Sequence, residues 1–317
     1  MNGCQASKNF WLKLKKPIYA LAPMAGVADS AFRQICKSFG ADVVYSEMIS
    51  AAALAYNSKK TLELARFDKK ERPYVVQLFG SKPEHFAAAA KIVEKKIRAQ
   101  GIDINFGCPV KKVLKQGAGA ALMNDLKLAR RIVEAVLAST DLPVSLKCRS
   151  RAGEATAVDF LKAIKDLPVA AIMIHGRSMA QGNSGKVDAK IIKQARKYFS
   201  GVILANGGVK DKKTADQLLV ETGADGIGIG QGALGKPWVF EEVKSKTPSV
   251  RGHSVSRRGI MLKHAKLAEK LKGRQGIIEM RKQLCRYVTG LNNASELRKK
   301  LVKAENLDDI KKIFNFQ

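Results

Sequence analysis

Cysteine is scarce in this 317-residue chain. Its five copies, Cys4, Cys36, Cys108, Cys148 and Cys285, are scattered, with no CxxC pair and no interleaving with the four histidines. That spacing excludes a disulfide framework and a zinc cluster, so free thiols in a reducing compartment and no metal are expected. Long apolar runs are lacking too. The strongest, Pro168 to Ile174, falls far short of the roughly 20 residues that span a bilayer, and the N-terminal region has no signal-peptide core. A soluble, cytoplasmic, monomeric protein with no membrane partner is expected. Carboxylates are few as well: 28 Asp and Glu stand against 57 Lys and Arg, a net charge of +29, more than solubility requires. A polyanionic partner is implied. The excess is densest at the end of the chain, where residues 244–317 hold 19 basic and 6 acidic side chains.

What the sequence does have is repetition. Eight short β-rich apolar runs follow one another: Ile18 to Met24, Val43 to Met48, Tyr74 to Gly80, Ile102 to Gly107, Val144 to Cys148, Ala171 to His175, Val202 to Asn206 and Gly226 to Gly230. Helical patterns such as His85 to Ala99 and Lys127 to Leu137 fill the gaps between them. Eight strand–helix units predict an α/β fold, a (β/α)8 TIM barrel; a doubly wound open sheet is the alternative. A polar stretch from Glu241 to Arg258, with Pro248 and Gly252 in it, reads as a linker. Beyond it, Val255 to Leu271, Ile277 to Thr289, Ala294 to Val302 and Asn306 to Phe314 read as amphipathic helices with basic polar faces. The predicted division is a catalytic barrel over residues 1–243 and a C-terminal all-helical domain over 244–317.

In such barrels the site lies at the C-terminal ends of the strands. Those positions alternate small residues with single polar groups: Ala22 to Gly26, Gln77, Asn105 to Pro109, Lys147, His175 to Arg177, Asn206 to Gly208, and Gly228 to Gly232. A planar ligand across the barrel mouth fits that pattern. Glycine pairs after strands seven and eight admit close backbone N–H approach to a phosphate. Lys147 would point a cation into the mouth to meet negative charge on a reduced flavin ring, unless it pairs with a barrel carboxylate such as Asp103. Gln77 has the groups to bond the ring edge, and His175 a phosphate or ring carbonyl. Cys108, between a glycine and a proline just past a strand, is the sharpest catalytic candidate. A thiol is mostly protonated at neutral pH, so it can give a proton as well as act as a nucleophile. Cys36, Cys148 and Cys285 fit core positions better.

At these residues the sequence resembles the tRNA-dihydrouridine synthase family over nearly its whole length. The resemblance is carried by Ala22-Pro23-Met24-Ala25-Gly26-Val27, Ser46-Glu47-Met48, Gln77-Leu78-Phe79-Gly80, Asp103-Ile104-Asn105 through Gly107-Cys108-Pro109, His175-Gly176-Arg177, Met280-Arg281-Lys282 and Ser295-Glu296-Leu297-Arg298. It implies an FMN enzyme, reduced by NADPH, that passes hydride to carbon 6 of a uridine in transfer RNA while Cys108 protonates carbon 5. It also implies FMN contacts at Pro23, Met24, Ala25, Gln77, Lys147, His175, Asn206, Gly207, Gly208, Gly230 and Gln231. An extruded uridine is gripped through its RNA backbone, with Asn105, Lys111, Lys112 and Arg177 near the mouth and Arg281, Lys282 and Arg298 on the tail helices. Three positions depart from the family pattern: Gln231 where arginine is usual, Gln283 and Arg286 where histidine and tryptophan are usual, and Phe106 for a common methionine. The rivals are a flavin reductase or dehydrogenase of a small free pyrimidine, of the dihydroorotate dehydrogenase kind, and a catalytically inactive RNA-binding relative.

Overall fold

The computed structural model of the protein describes residues 9–245 and 256–314. Cys4 and, from the expected linker and first tail helix, Pro248, Gly252 and Val255 lie outside the described residues.

Eight parallel strands close into a barrel: β1 (Ile18–Leu21), β2 (Val43–Ser50), β3 (Tyr74–Phe79), β4 (Gly101–Phe106), β5 (Val144–Arg149), β6 (Ala171–His175), β7 (Val202–Asn206) and β8 (Gly226–Ile229), with β8 returning to pair with β1. The open-sheet alternative is thereby excluded. The helices are α1 (Ser30–Ser38), α2 (Ala51–Ala55), α3 (Lys59–Leu64), α4 (Pro83–Ile92), α5 (Lys111–Leu114), α6 (Leu126–Leu137), α7 (Ala157–Ile164), α8 (Ala189–Ala195), α9 (Lys212–Thr222), α10 (Val239–Lys244), α11 (Arg257–Lys272), α12 (Arg274–Tyr287), α13 (Ala294–Leu301) and α14 (Leu307–Ile313). A two-stranded ribbon, Arg151–Ala152 with Ala155–Thr156, was not foreseen; it pairs only two residues a side.

Strand periodicity sorts the barrel interior into layers. Ile18, Ala20, Val43, Tyr45, Val75, Ala171, Met173, Val202 and Leu204 pack one apolar plug, closed below by Trp11 on a short 3-10 turn. Met173 reaches past β7 to β8, and a β-carbon on Gly228 would come within 2.6 Å of its sulfur, which is why β8 alternates glycine with isoleucine. Above the plug the inward side chains turn polar. A register shift in β2 between Tyr45 and Met48 brings the Ser46 hydroxyl under the Gln77 N–H, 2.9 Å away.

The expected linker starts too early. Residues 241–244 continue α10, whose Val239, Phe240 and Val243 are buried in the main core. Their spacing makes one apolar stripe, which outweighs the polar composition. The tail helices do form, and they dock on the barrel through α1. Ala31 and Ile35 share a core with Trp238, Ile260, Met261, Ala265, Met280, Leu284 and Tyr287, while Phe32 on the same helix packs in the barrel's core. Arg33 enters a buried pair with Glu71 and also donates to the carbonyls of Ala28 and Arg66, so its charge is fully partnered.

His264, 1% exposed, stacks on Phe32 and meets the Tyr287 hydroxyl at 3.2 Å. Burial pulls its pKa down to about 4, with Asp29 pulling weakly the other way. The folded protein therefore refuses a proton that an unfolded histidine accepts below about 6.5. This stability is complete above that value and drains away as pH falls toward 4, by about 2–3 kcal/mol. Urea unfolding midpoints should drop accordingly between pH 7 and pH 4.5, and His264→Phe should flatten part of the slope; an unaltered slope in the variant would place the acid sensitivity elsewhere.

Candidate active site

A cavity of about 590 Å³ opens at the C-terminal end of the barrel, within the range of ligand sites. It collects Pro23, Met24, Ala25, Gln77, Asn105, Cys108, Lys147, His175, Arg177, Asn206, Gly207, Gly208, Gly230 and Gln231 from seven strands or the loops after them. Each of these was singled out from the sequence, and alternation along the strands explains why they converge.

The floor is a chain of oriented groups. Asp103 is fully buried, and its two oxygens accept from Ser145 Oγ and Gln77 Nε2, each at 2.7 Å. It acts on Lys147 as a nearby charge that favours the ammonium, while its hydrogen bonds go to Ser145 and Gln77. With its amide nitrogen on the carboxylate, Gln77 turns Oε1 to Asn105 Nδ2, 2.9 Å away. Asn105 then offers Oδ1 to the backbone N–H groups of Gly107 and Cys108, at 3.0 and 2.9 Å. The expected substrate contact at Asn105 thus sits on a side chain that also fixes the thiol's loop. Ala120 N–H closes that loop on the Cys108 carbonyl at 3.1 Å.

The electrostatics are one-sided. Among the described residues the cavity lining has four cations, Lys147, Arg149, Arg177 and Lys210, and no carboxylate. Burial, with Arg149 nearby, lowers the Lys147 pKa to about 8, while Asp103 below it pulls the other way. Burial raises Asp103 to about 6 against the hydrogen bonds from Gln77 and Ser145. Burial thus disfavours both charges, and each charge favours the other. His175 is held down to about 3 by burial first and then by Lys147, Arg149 and Arg177, so its ring is neutral.

The wall after β7 and β8 is backbone. Gly207 and Gly208 take φ of +124° and +75°, and a β-carbon on Gly207 would press within 3.0 Å of the His175 ring. Asn206 donates to the Gly228 carbonyl at 2.6 Å, joining the two loops. Exposed N–H groups in a positively charged cleft suit a phosphate, and Lys147 and Gln77 beneath suit the polar edge of a ring. A flavin mononucleotide fits this set of donors. Among the described residues no group of three or more His, Cys, Asp or Glu is arranged to hold a metal, and no helix is long and apolar enough to cross a membrane.

Arg149 escaped the sequence reading, as did Lys210. Continuing the alternation Ser145, Lys147 by one step would have found Arg149, since β5 runs one residue past its expected end. Its guanidinium, nearly buried, donates to the carbonyls of Gly107, Ser178 and Gly182 at 2.9, 3.0 and 2.7 Å. It ties the thiol's loop to the loop carrying Arg177, which itself donates to Gly185 O at 2.7 Å.

The outlying basic residues divide. Lys111 and Lys112 are exposed on α5, just beyond Cys108, and Arg298 is exposed on α13. Lys282 reaches back over the cavity rim: a β-carbon on Gly26 would meet its Nζ at 2.8 Å. Arg281 instead donates to the carbonyls of Ala304 and Lys303, binding α12 to the turn after α13. Gln283 is buried against the β1 loop, whereas Arg286 is exposed. Cys36 and Cys148 are buried and Cys285 half-buried, all free; burial pushes the Cys148 thiol up to about 12.

The model of the family described as dihydrouridine synthase matches residues 20–315. A protein of Aquifex aeolicus described as "Probable tRNA-dihydrouridine synthase" is 33% identical over 304 residues, covering 95% of this chain and 96% of its own. A "tRNA-dihydrouridine synthase B" of Pseudomonas syringae is 35% identical over 287 residues, covering 88% and 84%. Among solved structures, histamine dehydrogenase from Rhizobium sp. 4-9 superposes with a TM-score of 0.55 at 11% identity, over 71% of this chain and 45% of that longer one. An old yellow enzyme homologue from Zymomonas mobilis gives 0.51 at 14% identity, over 69% and 86%. At such identities these two establish the barrel fold.

Replacing Arg149 by Met strips three carbonyls of their donor at once, at a cost of about 2–4 kcal/mol. Amide exchange should accelerate at 107–110 and 177–185 while α11 and α12 behave as in the parent. Unchanged exchange in those two loops would deny Arg149 its bracing role.

Proposed function

Because the chain belongs to the dihydrouridine synthase family, we propose that it reduces uridine in transfer RNA to 5,6-dihydrouridine, with FMN in the barrel mouth and NADPH as reductant. The observation that carries this reading is a single thiol in a cationic, carboxylate-free cavity, held by Asn105 at the end of β4. When bound, FMN supplies the hydride for carbon 6 of the uracil ring.

The chain's own residues do the rest. Pro23, Met24 and Ala25 form one wall for the flavin, Gln77 and Lys147 meet its polar edge, and His175, neutral, serves as a hydrogen-bonding group and not as a cation. Asn206, Gly207, Gly208, Gly230 and Gln231 line the phosphate end. Lys210 and Arg177 bring positive charge to that end, which lessens the need for arginine at 231. Hydride arrival at carbon 6 places enolate charge on the uracil, and Lys147, whose pKa burial lowers to about 8, would meet the negative charge of the reduced flavin ring. Cys108 then gives its Sγ proton to carbon 5, leaving a thiolate that solvent reprotonates. A uridine stacked in folded RNA reaches this cavity only by swinging out, with Lys111, Lys112, Lys282 and Arg298 on the surrounding backbone. Arg281 serves that grip from within the helical domain. The protein works as a cytoplasmic monomer, its barrel over 1–243 and its RNA-gripping domain over 244–317.

Cys108→Ala should keep bound flavin, read by its visible absorption, and lose dihydrouridine formation on unmodified transfer RNA; full product from that variant would remove the thiol from its role. NADPH oxidation that depends on transfer RNA separates this enzyme from one acting on a free pyrimidine. Affinity for transfer RNA should fall steeply with salt, by about a hundredfold or more between 50 and 200 mM if several phosphates are contacted. A flat response would count against the basic tail as the grip.

A further inference from the structure

The loop from Pro23 to Asp29 supplies one wall of the cavity, through Pro23, Met24, Ala25 and Val27. It is a tight turn: the N–H groups of Val27 and Ala28 both donate to Met24 O, and Gly26 takes φ +65°. Three more of its polar groups are held by side chains outside it, each from a different element. Gly26 N–H donates to the Glu47 carboxylate at the shifted register of β2. The Ala28 carbonyl accepts from Arg33 of α1 at 2.7 Å. The Val27 carbonyl accepts from Gln283 Nε2 at 3.0 Å, from a residue 256 positions further along the chain, on α12 of the helical domain.

Gln283 is 3% exposed, among neighbours such as Met280, Leu284 and Tyr287, and its Oε1 has no partner among the described residues. A half-satisfied amide in an apolar interface costs stability that methionine would not. What the amide contributes in return is the bond to Val27. Lys282, next to it, lays its ammonium against Gly26 of the same turn. We propose that Gln283 is a positioning residue for the cofactor: the helical domain completes the FMN site by holding the 23–29 turn in place. The inference rests on the FMN reading above and adds that flavin affinity depends on how the tail is docked, although no tail residue lines the cavity among the described ones.

The test uses the full chain with two substitutions. Gln283→Met keeps volume and loses the donor; Gln283→His keeps an N–H of similar reach. Hydrogen exchange is followed in peptides covering 22–30 and, for comparison, 171–175, without added ligand. FMN affinity is followed by quenching of flavin fluorescence. The Met variant should exchange faster in 22–30 alone and bind FMN about tenfold more weakly, the loss of roughly one buried hydrogen bond. The His variant should stay near the parent in both. Parental exchange and affinity in the Met variant would overturn the proposal. So would acceleration spread equally to 171–175, faster loop exchange with unchanged FMN affinity, or a His variant as weak as Met. If the parent itself takes up no FMN, the cofactor reading fails, while the exchange comparison still decides whether Gln283 holds the turn.

Discussion

The buried carboxylate of Asp103 sets the polarity of everything above it. Both of its oxygens accept, from Ser145 and from Gln77, so Gln77 presents its nitrogen to it and its oxygen upward. That choice dictates the sense of the Asn105 amide, and Asn105 in turn presents an oxygen to the two N–H groups that begin the thiol's loop. Three side chains from adjacent strands thus pass one orientation from the barrel centre to Cys108. The apolar plug below, with Met173 filling the space beside Gly228 and Trp11 closing the bottom, keeps water from competing for these bonds.

Charge is arranged by the same economy. Cations line the cavity while the nearby carboxylates face away from it: Asp103 lies under the floor and Glu47 is engaged with the Gly26 N–H and partly desolvated. Burial first, and then the field that results, keeps a histidine neutral among lysine and arginine. A site lined this way has the charge to suit an anion.

The barrel was legible because eight short apolar runs recur with helical patterns between them, and two of the eight strands, Ala171–His175 and Val202–Asn206, have the bounds their apolar runs imply. Strand-end polar residues stood out against small neighbours, so most of the cavity lining could be named. Arg149 and Lys210 were missed for different reasons. Arg149 lay one residue beyond the apolar run that marked β5, and Lys210 follows a glycine pair, where a surface lysine carries no periodic signal. The tail resisted most. Its basic faces suggest an RNA contact for Arg281, and Gln283 stands out only as a departure from the family pattern, yet Arg281 caps carbonyls inside the domain and Gln283 reaches the β1 loop. Long-range pairing of that kind leaves no trace in local spacing. The polar composition of residues 241–244 likewise concealed an apolar stripe that continues the last barrel helix.

One helix belongs to two cores at once. α1 gives Phe32 and Cys36 to the barrel's core and Ala31 and Ile35 to that of the tail helices, where Trp238 joins them, and Phe32 also stacks on His264 of α11. A chain severed near residue 243 would leave those side chains bare beside the turn that Gln283 steadies, a greasy scar at the rim of the catalytic opening. The two halves are therefore better regarded as a single inheritance than as a reusable engine with a detachable handle.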